Sequence, residues 1–189
     1  MTLKLNIIIG STRPGRVGPT LAAWFDAFAR EHGKFEPVLV DLADFALPVY
    51  DEPKHPRLQE YMHDHTKAWA ASVAAGDAYV FVSPEYNYFA PPALVNAIQY
   101  LSREWAYKPA GILSYGGISG GLRAAQALKP LLTTLKVMPI PEGVPVPLFT
   151  QFIDEEDRFK PNDAISGGAK LMLDELHSWA GALASLRQG

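Results

Sequence analysis

The chain has 189 residues, a formal net charge of -3 and no cysteine. The mild acidity argues against a general nucleic-acid binder, which shows a basic excess. The missing cysteines exclude disulfides, a thiolate nucleophile, thiolate zinc sites and cysteine-ligated iron–sulfur clusters. With 48% apolar and 20% charged residues, the composition fits a single globular domain over residues 1–189.

Leu3 to Ile9 is β-rich and almost continuously apolar, the pattern of a strand buried on both faces. Turn residues follow, from Gly10 to Arg16. From Val17, the apolar residues Leu21, Trp24, Phe25 and Phe28 recur at helical spacing up to His32-Gly33. Phe35 to Leu42 reads as a second strand, and Ala43 to Arg57 as a proline-rich connection. A helix is predicted over Leu58 to Ala75, a strand over Tyr79 to Ser83, and a loop over Pro84 to Pro92. Next come a helix over Ala93 to Trp105, a strand over Ala110 to Ser114 and a helix over Leu122 to Leu135. A short strand over Val137 to Ile140, a long connection over Glu142 to Pro161 and a last helix over Asn162 to Arg187 complete the chain. Strand and helix alternate five times, which implies an α/β fold with a parallel sheet and right-handed crossovers.

The longest uncharged central stretch, Tyr86 to Ser102, carries Asn87, Pro91, Pro92, Asn96 and Gln99. It is no membrane span, which needs about 20 predominantly apolar residues. Lys4 interrupts the first apolar run, which is too short for a signal peptide. A cytoplasmic protein with no membrane or nucleic-acid partner is expected.

In open parallel sheets ligands collect beyond the carboxyl ends of the strands. Three loops there carry chemistry. Gly10 to Thr20 offers hydroxyls, Arg13 and Arg16, and the start of a helix with unpaired N–H groups. Together these suit a terminal phosphate; a simple turn with two solvated arginines is the alternative. Ser83-Pro84-Glu85-Tyr86-Asn87-Tyr88 offers flat rings and an amide, matching a planar heterocycle with polar edges, or merely a packed tyrosine turn. Ser114 to Gly121 holds four glycines in eight residues. Its backbone can approach a ligand closely and stabilise negative charge, or serve as a flexible turn.

The order and spacing of these loops resemble the NADPH-dependent FMN reductases of the flavodoxin-like superfold, which include quinone, azo-dye and chromate reductases. The resemblance runs from Leu3 to about Leu186. It implies a flavodoxin-like three-layer sandwich with a five-stranded parallel sheet in order 2-1-3-4-5. It also implies bound FMN, with Ser11, Arg13, Arg16, Val17, Gly18 and Pro19 around the phosphate. Pro84, Glu85, Tyr86 and Asn87 would line the isoalloxazine, and Ser114, Gly116, Gly117 and Ser119 would meet its pyrimidine edge. NADPH (or NADH) would supply electrons, and a small acceptor such as a flavin, quinone or azo compound would take them in a ping-pong sequence. A homodimer or a dimer-of-dimers tetramer would form through the helices after the third and fourth strands. A flavodoxin-like electron carrier and a non-catalytic flavin-sensing module are the competing readings of the same fold. Three positions depart from the family pattern: Gly18 where many members have serine, Val95 where they have lysine, and Gln99 where they have aspartate.

The remaining candidates reduce to structure. His63-Asp64-His65 would point to different sides of a helix and is not expected to bind metal. Asp154 to Asp157 reads as a solvated loop. Trp24, Trp69 and Trp179 lie on apolar helix faces, and Trp105 or Tyr107 could reach a neighbouring subunit's cleft. Ser11, Ser114 and Ser119 lack a His–Asp pairing for a hydrolase triad.

Overall fold

Five strands form one parallel sheet in order 2-1-3-4-5, as expected. They are β1 (Leu3–Ile9), β2 (Phe35–Asp41), β3 (Ala78–Pro84), β4 (Pro109–Tyr115) and β5 (Met138–Val146). The computed structural model describes residues 2–187. Alternation along each strand supplies a core on either face. Leu5, Ile7, Ile9, Val80, Val82 and Leu113 pack under α1 (Gly18–His32) and α5 (Asp163–Leu183). Ile8, Tyr79, Phe81, Ala110 and Ile112 pack under α2 (Asp64–Ala75), α3 (Pro92–Gln99) and α4 (Leu122–Thr134). This is the three-layer sandwich implied by the resemblance. Ile9 pairs with Val82, and Ser83 with Ser114, so the chain leaves β1, β3 and β4 at one level. Among the described residues no helix is long and apolar enough to cross a membrane.

Three boundaries differ from the sequence reading by six residues each. The second helix begins at Asp64, not Leu58. Pro56 opens a separate 3-10 turn, closed by Gln59 at φ 55°. The helix instead starts where the buried Glu52 carboxylate accepts hydrogen bonds from the N–H groups of Met62 (2.9 Å) and His63 (3.0 Å). A remote side chain does the work of a local cap. His63 therefore lies outside the helix, and its ring stacks on His65 at 5.1 Å. Both face Asp51, at 3.8 Å and 3.1 Å, so they share a side after all. Among the described residues no His/Cys/Asp/Glu group suited to a metal is present.

The third helix ends at Gln99, not Trp105. The chain turns inward there to bury Trp105 completely beside Trp69, Tyr79 and Phe81. The indole Nε1 donates to the Ile98 carbonyl at 3.1 Å. Trp105 is thus a core residue and reaches no other subunit. The fifth strand runs on to Val146 despite Pro139, Pro141 and Pro145. It is an edge strand, where a missing N–H costs little, and the register shift between Ala110 and Ile112 absorbs the irregularity. Asp154 closes its own turn by accepting from the N–H groups of Glu156 and Arg158, consistent with a solvated loop.

Trp105→Ala should destabilise the fold by about 3–5 kcal/mol, the usual cost of deleting a buried aromatic. Trp105→Phe should cost only about 1–3 kcal/mol, chiefly by leaving the Ile98 carbonyl unpaired. Urea denaturation of the two variants checks both values.

Candidate functional site

The loops after β1, β3 and β4 meet around a cavity of about 500 Å³. Of the sequence-predicted residues, Arg13, Arg16, Val17, Pro84, Glu85, Tyr86, Asn87, Gly116 and Gly117 line it. Ser11, Gly18, Pro19, Ser114 and Ser119 do not.

The first loop is held open from beneath. Arg16 forms a bidentate pair with Asp41 at the end of β2, both contacts at 2.5 Å, and donates to the Ser11 carbonyl at 2.6 Å. Burial raises the Asp41 carboxyl, but the Arg16 hydrogen bond, the Ala43 N–H and the Arg16 charge outweigh it and leave it below its ordinary value. Arg13 has no carboxylate partner among the described residues; its Nε donates to the Tyr86 hydroxyl at 3.2 Å and so joins the first loop to the second. The backbone N–H groups from Ser11 to Gly18 make no hydrogen bond within the described backbone. They precede the amino end of α1, where the helix dipole favours an anion. Gly18 is needed here because the backbone passes tightly: an added Cβ would lie 2.6 Å from Ser11 Oγ and 3.2 Å from the Tyr115 hydroxyl. The space a side chain at Gly18 would need is filled by those two hydroxyls, which are 3.4 Å apart.

The second and third loops share one carboxylate. Glu85, with a side chain only 6% exposed, accepts from Ser119 Oγ at 3.1 Å, from the Arg123 N–H at 3.1 Å and from the Arg123 guanidinium. The hydrogen bond to Arg123 holds its carboxyl below the usual range against burial. Arg123 also lies over the Tyr88 ring, 3.7 Å from its centroid. Tyr86 and Phe89 exchange backbone hydrogen bonds at 2.8 and 2.9 Å. Asn87 and Tyr88 between them take φ of 50° and 69°, the left-handed pair of a two-residue hairpin turn. Ser114 Oγ donates to the Gly120 carbonyl at 2.8 Å and ties the third loop down. Gly121, at φ 79°, permits the sharp entry into α4. At Gly117 an added Cβ would meet nothing within 4 Å, so that stretch faces open space. The N–H groups of Gly117, Ile118 and Ser119 make no backbone hydrogen bond among the described residues.

Three residues at or beside the site went unnoticed in the sequence. Tyr115 lines the cavity, and burial pushes its phenol up to about 12. Phe149 lines it from the connection after β5 and packs edge-on to Tyr115 at 5.3 Å. Arg123 braces the rim. Only Tyr115 stood in a recognised loop; nothing local marks Phe149, and an arginine two residues after a glycine pair is a weak signal.

The donors present fit a flavin mononucleotide. An anion seat lies in the first loop, an aromatic-flanked slot in the second, and free amides line the third. Such a partly apolar cleft with a few convergent polar groups is the usual form of a cofactor site.

Glu85 ionises more readily in the folded chain than in the unfolded one. Its contribution is therefore complete above an unfolded carboxyl pKa of about 4.3 and lost as pH falls through the lower folded value. Glu85→Gln should flatten the acid limb of stability measured by urea denaturation from pH 6 to pH 3, with the wild-type chain losing more over that range.

The pattern of the family described as NADPH-dependent FMN reductase matches residues 3–151. An NAD(P)H-dependent FMN reductase of Schizosaccharomyces pombe is 41% identical over 143 residues, which cover 75% of this chain and 71% of that protein. A quinone reductase of Escherichia coli K12 is 32% identical over 145 residues, covering 73% and 74%. The flavoenzyme NAD(P)H:(acceptor) oxidoreductase FerB of Paracoccus denitrificans shares the fold, with a TM-score of 0.73 at 19% identity over 95% of this chain and 98% of that one. With the fold in the expected strand order and the family pattern spanning all three loops, the chain belongs to the NADPH-dependent FMN reductase family, a family of flavin- and NAD(P)H-dependent oxidoreductases.

Proposed function

We propose that this chain holds FMN in the cavity at the carboxyl end of the sheet and uses it to pass electrons from NAD(P)H to an apolar, quinone-type acceptor. The observation that carries the reading is the convergence of one unpaired arginine, a run of unpaired backbone N–H groups and a tyrosine-flanked slot around one cavity. When bound, FMN supplies the redox chemistry, taking hydride from the nicotinamide and giving up electrons to the acceptor. Arg13 and the Ser11–Gly18 amides hold the phosphate. Arg16, which also lines the cavity, braces the loop through Asp41. Tyr86 and Pro84 position the ring, and Asn87 meets one of its polar edges. The unpaired amides of Gly117, Ile118 and Ser119 stabilise negative charge that develops along the pyrimidine edge. No side chain is needed as a general acid or base.

An adjoining groove of about 850 Å³ shares Tyr86 and Asn87 with the cavity and is otherwise walled by Val49, Phe89, Val95 and Gln99 among others. Val95 and Gln99 put neutral side chains in its wall, which favours an apolar aromatic acceptor. Donor and acceptor reach the ring from the same open side, so they bind in turn and the kinetics are ping-pong. A second copy packed along α3 would wall this groove, and a homodimer is the assembly proposed.

The test is a visible spectrum of FMN-loaded, desalted protein, followed by anaerobic NADPH and then a quinone. Retained flavin should bleach with NADPH and recover with the quinone. Flavin that NADPH leaves oxidised would mark an electron carrier or a sensor instead. Arg13→Ala should weaken FMN binding roughly 10- to 100-fold, the worth of one charge-assisted contact, with an unchanged far-ultraviolet circular dichroism spectrum; fluorescence titration with FMN reads the loss.

A further inference from the structure

A larger cavity, of about 860 Å³, lies at the opposite end of the sheet. It opens beside Lys108, just before β4, and is walled by Ala74 in the last turn of α2 and by Thr134 to Lys136 after α4. No residue of the flavin cleft lines it. Arg57, Arg103, Lys108, Lys136 and Arg187 do, with Glu104 as the one carboxylate among the described residues.

The charges here are unmatched. Of the chain's 17 Lys and Arg residues, nine have a carboxylate within 4.0 Å among the described residues. Arg57, Arg103, Lys108 and Lys136 are four of the remaining eight, and all four line this one cavity. Glu104 supplies a single negative charge against the five cations that line the cavity. Its buried carboxylate is taken by neutral donors: Gln59 Nε2 and the Tyr61 hydroxyl, both at 2.8 Å, and the Ser102 N–H at 3.2 Å. Arg187 is the exception among the cations, paired with Asp77 at 3.4 Å. The local surplus of positive charge stands against a net charge of -3 for the whole chain.

Cations near the carboxyl ends of helices commonly offset the helix dipole. Lys108 does so for α2: its ammonium, only 7% exposed, donates to the carbonyls of Val73 (3.2 Å) and Ala74 (3.0 Å). An ammonium has three protons, and the third meets no acceptor among the described residues. Burial and the neighbouring Arg187 charge push this amine down to about 8, a penalty that a bound anion would relieve. Dipole compensation does not account for Arg57 and Arg103. Both sit in short 3-10 turns, and their guanidinium groups donate to no described acceptor. Lys136 extends over the Tyr107 ring and donates to its hydroxyl at 2.8 Å, which fixes its position beside the opening.

We propose that this cavity is a second binding site, taking a phosphorylated small molecule through Arg57, Arg103, Lys108 and Lys136. The planar arginine forks suit phosphate oxygens, the buried ammonium forms the floor, and the volume is that of a small-ligand site. The site lies at the other end of the sheet from the flavin cleft, so its occupant does not compete with FMN or NADPH. The proposal is independent of the flavin reading.

The experiment is calorimetric titration of sodium pyrophosphate into FMN-loaded protein, with sodium chloride at equal ionic strength as the reference. Saturable 1:1 binding is expected. It should weaken at least roughly 10-fold in the double variant Arg103→Gln/Lys136→Gln, and similarly in Arg57→Gln on a separate segment, as expected for lost charge-assisted contacts. Flavin absorbance and the reductase rate should stay at wild-type values, and Arg13→Ala should bind pyrophosphate as wild type does. No saturable heat beyond the chloride reference overturns the proposal. So does binding that persists in both cavity variants, or binding that is lost in Arg13→Ala, which would place the anion in the flavin cleft.

Discussion

The structure depends on one constraint: its central strands are buried on both faces. Every residue of β3 and β4 is buried, so all their backbone groups must be paired within the sheet. A parallel ladder meets that demand only if each connection crosses from one end of the sheet to the other over a helix. The functional loops are therefore confined to one end. With Ser83 level with Ser114 and Ile9 level with Val82, they also start at one height, so that a planar ligand can lie across them. The site follows from the pairing register.

A shared height does not fix the loops laterally, and partly shielded ion pairs do that. Asp41 at the end of β2 engages Arg16, which leaves Arg13 as the cavity-lining arginine of the first loop without a carboxylate partner among the described residues. Glu85 at the end of β3 gathers Ser119 and Arg123 from the third loop and the start of α4. In both cases a carboxylate next to a strand end holds a loop from a different part of the chain. Such pairs add little where they are exposed. Here the carboxylates are largely shielded, and breaking one would leave a buried charge without a partner. The pairs fix the loops in place before any ligand is present, and a site ordered in advance lowers the ordering cost of binding.

The sequence made the strands legible because two-sided burial writes itself as continuous apolar runs such as Tyr79 to Val82. The loops were legible because glycine, proline and arginine after such runs have few other uses. What stayed hidden depended on partners far along the chain. Glu52 sets the start of α2 from ten residues away in sequence, where no local cap rule applies. Asp41 decides which of two neighbouring arginines is free, and nothing near Arg13 or Arg16 says so. Phe149 reaches the site through the path of the connection after β5, which carries no periodic pattern. The stacking of His63 on His65 went unseen because it required knowing that His63 lies outside the helix.

The two ends of the sheet differ in how their backbone groups are left, and this explains where unpaired charge collects. At the carboxyl end, the loop entering α1 and the loop before α4 present N–H groups, a partial positive charge that attracts anions without many cations. At the amino end α2 and α4 present carbonyls, which favour cations. Lys108 meets that demand at the end of α2. Arg57 and Arg103 exceed it, since they approach from turns and bond no carbonyl there. A protein with a mild negative charge has no stability reason to gather unpaired cations around a cavity, because like charges repel and each would be better placed beside one of the chain's acids. Structural compensation therefore accounts for Lys108 at the floor and fails for the arginines at the rim, and that division identifies the rim as the part of the cavity whose chemistry is directed outward, toward an anion.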